Sequence, residues 1–165
     1  SYLKDQGLSP QVASYALALV GLLNVVGTYF AGALGERFAK KHILAFIYFT
    51  RSVVITVFLL VPLSPASVYV FAACMGVLWL STVPPTTALV AQIFGVAHLS
   101  MLGGFVFFSH QLGSFMGVWL GGFLYDRLGN YDIVWLLSIA LGVLAGAVNL
   151  PVRESAIERP AAQTA

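Results

Sequence analysis

The sequence predicts an all-α protein, a polytopic bundle of five membrane-spanning helices. Of its 165 residues, 59% are apolar and 8% are charged, whereas a soluble domain carries about 25% charged residues. No Asp, Glu, Lys or Arg occurs in Gln6–Gly35, Ser52–Tyr125 or Ile133–Val152. One helical crossing needs about 20 apolar residues. The apolar runs do not alternate with period two, so a β-barrel is not expected.

Polar breaks and turn residues divide the chain into helical spans. The first span is expected over about 11–34, after the break Gly7–Pro10. The second is expected over about 43–61, because Pro62-Leu63-Ser64-Pro65 stops the helix that precedes it.

The third span is expected over about 66–94 as one helix, kinked at Pro84-Pro85. Neighbouring helices and Thr hydroxyls can satisfy the backbone groups that proline frees. The fourth and fifth spans are expected over about 101–125 and 132–150. These spans make residues 1–152 one transmembrane domain, and the polar tail 153–165 is predicted to be disordered.

Basic residues at the span ends predict the orientation. Five of them lie on one side of the five-span topology and two on the other. The first group is Arg37, Lys40, Lys41, Arg153 and Arg159, and the second is Lys4 and Arg127. We therefore expect the loop after the first span and the C-terminus to be cytoplasmic.

That loop carries a recognisable motif. Residues 32–41, GALGERFAKK, resemble the signature cytoplasmic loop of the major facilitator superfamily: Gly, three residues, Asp, a base, one residue, Gly, then basic residues. Here Glu36 stands for the Asp and Ala39 for the Gly, and weakened copies of this kind lie between the family's eighth and ninth helices. Residues 109–135 resemble the eleventh and twelfth helices of bacterial members near the monocarboxylate-transporter branch. Residues 3–27 resemble the end of the seventh helix and the eighth.

The resemblance covers about residues 2–152 and implies helices eight to twelve of a twelve-helix secondary transporter. It implies alternating access in a bacterial inner membrane, with a small organic anion such as a monocarboxylate moved together with a proton. The expected partners are the lipid bilayer, this solute, protons and the missing N-terminal half. The first residue, Ser1, is not Met, which fits a fragment.

The loop residues Glu36, Arg37, Lys40 and Lys41 have two readings. They can be a topology signal alone. By the resemblance they also form a cytoplasmic latch, in which an acid at a helix end meets a base or a neighbouring helix N-terminus. Both readings can hold together.

Polar side chains inside the spans are candidates for solute or proton contact, because they are costly in lipid. Arg51 lies about 15 Å past Lys41 along a helix, so it needs carbonyls, a missing helix or an anionic substrate. His110, beside Gln111, can change charge near neutral pH, or it can be a neutral interhelical histidine. Asn24, one turn from Thr28, is a further candidate. Alternatively, it forms a hydrogen bond that holds two helices together.

Two further groups point to packing and movement. Gly113, Gly117 and Gly121 recur every four residues in the fourth span, a spacing that lets helices approach closely. Gly142 and Gly146 in the fifth span are a weaker copy of this spacing. Trp79 and Thr82 precede Pro84 and Pro85. The two prolines are expected to act as a kink with some gating role, with Trp79 and Thr82 as substrate contacts.

The sequence shows no enzyme constellation, metal-ligand cluster or cofactor motif, and no basic patch suited to nucleic acid.

One alternative to transport remains, which is a five-span protein without transport activity, such as an assembly or scaffold subunit or a truncated remnant. Five helices alone would leave Asn24, Arg51 and His110 facing lipid, unless oligomerisation covers them.

Overall fold

The computed structural model describes residues 2–157, apart from the side chain of Lys4. This part of the chain is helical and contains no strand, which confirms the predicted all-α class. The helices are α1 (Tyr2–Asp5), α2 (Pro10–Arg37), α3 (Lys40–Leu60), α4 (Pro65–Trp79), α5 (Val83–Phe94), α6 (Leu99–Leu128) and α7 (Asp132–Asn149). Ser1 and residues 158–165, including Arg159 and most of the predicted tail, lie outside the described residues.

Local sequence signals explain where the helices begin and end. Pro10 and Pro65 lie in the first turns of α2 and α4, where a missing backbone N–H costs nothing. Ser64 and Ser67 form a reciprocal capping box at the start of α4. Helix α6 ends at Gly129, whose φ of 71° is the left-handed conformation that glycine adopts without strain.

The third predicted span is broken rather than continuous. Helix α4 ends at Trp79 and α5 begins at Val83, so the interruption precedes the two prolines. Pro84 and Pro85 lie in the first turn of α5, where proline is tolerated, and they have no N–H to donate to the carbonyls of Leu80 and Ser81 in the preceding turn. The bend expected at the prolines is therefore located at Leu80–Thr82, which we call the helix break.

The helices pack as two tight pairs joined through the middle of the bundle. Helix α2 packs mainly on α4 and α3 mainly on α7, and α3 also contacts α4 and α5. Most of the buried apolar side chains belong to α3 and α4, among them Leu44, Ile47, Phe58, Val68 and Ala72. Near the start of α4 an aromatic cluster forms, in which Phe58 stacks on Phe71 with ring centroids 4.2 Å apart.

Four segments in the described chain are long and apolar enough to cross a membrane: α2, α3, α4 with α5, and α7. Helix α6, the fourth predicted span, is present as 30 residues but is not among them. Ser109, His110, Gln111 and several glycines lower its hydropathy. It contains no buried residue, and its contacts are with α5, with the 3-10 turn Val96–His98 that precedes it and with α7. The Tyr125 hydroxyl also donates to Asp5 of α1 at 3.2 Å.

Candidate functional site

The helix break exposes backbone groups in the middle of an apolar span, and Arg51 binds two of them. The Arg51 Nη2 atom donates hydrogen bonds to the carbonyl oxygens of Leu78 and Trp79, the last residues of α4. Carbonyls at a helix end have no intrahelical partner. A cation there also interacts favourably with the negative end of the helix dipole. The guanidinium of α3 therefore caps α4 from the side.

A second side chain binds the break from the opposite neighbour. Asn24 of α2 accepts a hydrogen bond through Oδ1 from the backbone N–H of Leu80, at 2.8 Å. Within the break, Ser81 donates to the Val77 carbonyl, and the Thr86 hydroxyl donates to the Thr82 carbonyl at 2.6 Å. These contacts satisfy groups that would otherwise be costly to bury in a bilayer.

Two glycines allow α2 to come close enough for the Asn24 contact. A Cβ added at Gly27 would overlap the Val77 carbonyl group, and one added at Gly76 would lie 2.9 Å from the Cα of Val20. Real Cβ atoms do not approach backbone atoms so closely. The backbones of α2 and α4 therefore touch directly on the side of the break where Asn24 reaches Leu80.

An open depression of about 550 Å³ lies beside the break. Its lining residues are Gly21, Asn24, Val25, Thr28, Tyr29 and Leu80. The surface is mostly apolar with a few polar groups, the composition expected of a small-molecule site. Trp79, which is 55% exposed, and the half-buried Thr82 lie on either side of Leu80 and Ser81 in the break.

The structure thus brings four of the sequence candidates together and keeps two apart. Asn24, Arg51, Trp79 and Thr82 all lie in the helix break or bind it. His110 and Gln111 are exposed on α6. The His110 ring lies near Phe107 of its own helix, with centroids 6.5 Å apart.

The comparison with known proteins identifies the family. The profile of the Major Facilitator Superfamily matches residues 1–165, the whole sequence. The chain belongs to the major facilitator superfamily. It is 22% identical over 139 residues to an uncharacterized MFS-type transporter, YcxA, of Bacillus subtilis, a match covering 81% of this chain and 34% of that protein. It is 28% identical over 148 residues to monocarboxylate transporter 12 of Xenopus laevis, covering 83% and 30%.

The chain therefore spans about a third of the length of these curated relatives. No solved structure matches it. The resemblance inferred from the motifs is confirmed, and the chain is an integral membrane member of a transporter superfamily.

The signature loop of this superfamily member contacts the tail. The Glu154 side chain accepts a hydrogen bond from the backbone N–H of Lys41, at 2.7 Å, in the first turn of α3. Gln92 donates to the Glu154 carbonyl at 2.8 Å, and the N–H of Ile157 donates to the Ile93 carbonyl at 3.0 Å. The described start of the tail is therefore anchored. Its predicted disorder stays a prediction for residues 158–165.

Glu154, Gln92 and Ser52 are contacts that sequence reasoning missed. Ser52 donates to the Ile139 carbonyl of α7 at 3.1 Å. The signal for Glu154 was available, since it is an acid near the last span on the side predicted for the basic loop. The signal for Ser52 was weaker, because a serine in a span more often bonds to its own helix, as Ser52 also does to Tyr48.

The small-residue contacts are not those that the spacing in α6 predicts. A Cβ at Gly113 or Gly117 would meet no atom within 4 Å, and one at Gly121 would lie 3.8 Å from Val134 Cγ1. Among the described residues these positions have open space, so their packing role stays a prediction. The close glycine contacts lie instead between α2 and α4 and at Gly142 and Gly146, which face α3.

Proposed function

We propose that this chain forms part of a secondary transporter that moves a small organic anion, such as a monocarboxylate, together with a proton. Transport would proceed by alternating access across a bacterial inner membrane, with the C-terminus in the cytoplasm. The observation that supports this proposal most directly is the helix break. There Asn24 and Arg51, from two neighbouring helices, form hydrogen bonds with non-helical backbone inside an apolar span. Broken helices near the midplane are a recurring way to build solute sites in transporters.

The depression beside the break is the proposed solute site of this chain. It offers the Thr28 hydroxyl and the Asn24 amide on a mostly apolar surface. The Nη2 atom of Arg51 already donates to two carbonyls, while its buried Nε has no hydrogen-bond partner among the described residues; we assign Arg51 to the break rather than to the anion. His110 is the proposed proton-coupling group, with Gln111 beside it.

The proposed substrate class rests on the relative named a monocarboxylate transporter, at 28% identity over 30% of that protein. We propose that the chain corresponds to helices eight to twelve of the superfamily fold and that further helices complete the cavity. The latch assignment of Glu36, Arg37, Lys40 and Lys41 is part of this proposal. The Glu154 contact involves this loop only through the backbone N–H of Lys41, at the start of the helix that follows.

Uptake of radiolabelled lactate by proteoliposomes that contain the whole protein tests the proposal. An inward proton gradient should raise the initial rate, and a protonophore should remove the increase. Thr28→Val, which removes a hydroxyl from the depression, should raise the KM for lactate. Thr56→Val is the matched control, because the Thr56 hydroxyl binds a carbonyl of its own helix, Ser52, at 2.8 Å. Uptake no faster than in protein-free liposomes would rule out a lactate carrier, and uptake indifferent to the gradient would rule out proton coupling.

A further inference from the structure

Arg51 is a charged side chain placed where charge is costly. It is the twelfth residue of α3, about 17 Å from the start of that helix at 1.5 Å per residue. A bilayer core about 30 Å thick places such a position near its middle. Arginine keeps its positive charge in proteins even when it is buried. On the other side of the break the neutral side chain of Asn24 forms the hydrogen bond with the backbone. Hydrogen bonding to backbone groups therefore does not by itself require a charged side chain at position 51.

The two carbonyls bound by Arg51 are those that a continuous helix would need. In an α-helix the Leu78 carbonyl accepts from the N–H of Thr82, and the Trp79 carbonyl accepts from the N–H of Val83. The Val83 N–H instead donates to the Leu80 carbonyl, at 2.9 Å. Arg51 therefore competes with helix formation across the break.

The prolines limit how far the helix could close. Pro84 and Pro85 have no N–H, so the carbonyls of Leu80 and Ser81 can gain no α-helical partner. Without Arg51, α4 could extend by about one turn, to Val83, where it would join α5 in one helix that lacks the two hydrogen bonds of the prolines. Such an extension would give Leu80 helical geometry and move its N–H away from Asn24.

We propose that Arg51 is a positioning residue that keeps the helix break open. Its guanidinium occupies the Leu78 and Trp79 carbonyls, and thereby holds Leu80 against Asn24 at the edge of the depression. Its effect on uptake rests on the proposed transport function, whereas its effect on the break does not. Arg51 acts through the backbone of α4 and does not bind the solute.

Distances between α4 and α5 test this directly in the whole protein. Cys74, the single cysteine of this sequence, is exposed on α4, and Thr87→Cys places a second label on the exposed surface of α5. Any cysteine elsewhere in the protein is replaced. Electron–electron double resonance then measures the distance distribution between spin labels at the two positions.

Three variants are compared with the parent protein. Arg51→Met keeps an unbranched side chain without charge or donors and should shift the mean distance. Arg51→Lys retains a cation and should shift it in the same direction by less. Ser52→Ala is the control, since Ser52 is the next residue and binds Ile139 of α7 rather than the break, and its distribution should match the parent. A parent-like distribution in Arg51→Met, or an equal shift in Ser52→Ala, would overturn the proposal. If Arg51→Met does not accumulate, the comparison uses Arg51→Lys. A parent-like distance distribution in Arg51→Lys, or an equal shift in Ser52→Ala, would then overturn the proposal.

Lactate uptake separates positioning from solute binding. We expect Arg51→Met to lower the maximal rate about tenfold with little change in KM, because two charge-assisted hydrogen bonds are lost from the break and not from the solute. Arg51→Lys should restore part of that rate. A large rise in KM at an unchanged maximal rate, with parent-like distances, would show that Arg51 binds the anion and would overturn the proposal. Shifted distances in a protein that does not carry lactate would leave Arg51 as the residue that holds the break and refute the proposed function alone.

Discussion

Asn24 Oδ1 lies 2.8 Å from the backbone nitrogen of Leu80, and this hydrogen bond connects α2 to the first residue of the helix break. Asn24 is half-buried in the middle of α2. The bond depends on the direct backbone contact between α2 and α4. The Asn24 side chain thus links the closely packed pair α2 and α4 to the helix break.

Asn24→Ala should destabilise the protein by about 1–3 kcal/mol, since a backbone N–H in a membrane span is left without its partner. Thermal unfolding of the purified protein in detergent measures this loss. Asn149→Ala is the control, because Asn149 Nδ2 donates to the Ala145 carbonyl of its own helix. Removing this side chain leaves no backbone N–H of the helix break without a partner. Equal losses in the two variants would mean that the Asn24 bond contributes nothing specific.

Gly27→Ala should destabilise by about 1–3 kcal/mol or more, the range seen when tightly packed sites receive extra atoms. The added Cβ would overlap the Val77 carbonyl and lie 2.7 Å from Ser81 Oγ. Neither α4 nor the break can retreat without losing the Asn24 contact. The same unfolding measurement applies.

Gly21→Ala, one and a half turns earlier in α2, gives the matched comparison. Its Cβ would meet nothing within 4 Å, so the substitution should be neutral or stabilise by about 0.5–1 kcal/mol, the difference in helix propensity between Gly and Ala. Loss of stability at position 21 as large as at position 27 would contradict the direct backbone contact between α2 and α4.

The helical spans could be predicted because lipid imposes a strong constraint on sequence. Charge-free stretches indicate which parts of the chain are apolar helices, and prolines and glycines mark most helix ends. Helix α2 nevertheless runs to Arg37, three residues beyond the predicted end at 34. Hydropathy detects where the apolar stretch ends, whereas the helix continues into the polar loop. The break illustrates the same limit: proline marks an interruption, but the residues that unwind precede it.

The partners of the candidate site residues could not be read from the sequence. Carbonyls were one of three partners considered for Arg51, and choosing among them required the location of the break. The spacing of small residues favoured α6 for close packing and gave Gly142 and Gly146 of α7 as a weaker case. Among the described residues the close contacts are at Gly142 and Gly146 and at Gly27 and Gly76. Periodicity shows that a helix has a small face, but the neighbouring helix decides whether that face is used.

Glu154→Ala should speed amide hydrogen exchange at Lys41. The carboxylate accepts from this N–H at 2.7 Å, at the N-terminus of α3, where negative charge is also favourable. A loss of about 1.4 kcal/mol in the hydrogen bond corresponds to about tenfold faster exchange. Glu154→Gln keeps an acceptor oxygen and should give an intermediate rate. Glu36→Ala removes an acid from the adjacent loop and should leave Lys41 exchange unchanged. Equal exchange in the Ala variant and the parent would show that the tail is not held by this contact.

His110→Ala should abolish the pH dependence of lactate uptake if His110 carries the coupled proton. The reason is chemical: histidine is the side chain that ordinarily changes charge between about pH 5 and 8. Initial uptake rates measured over this range, in the parent and the variant, check the expectation. His42→Ala is the control, because His42 is exposed in the first turn of α3, outside the proposed site, and should keep the parent profile. An unchanged profile in His110→Ala would remove His110 from proton coupling. The stretches Gln6–Gly35 and Ser52–Phe94, which supply the helix break and its partners, contain no Asp or Glu, so they would offer no acidic group in place of His110.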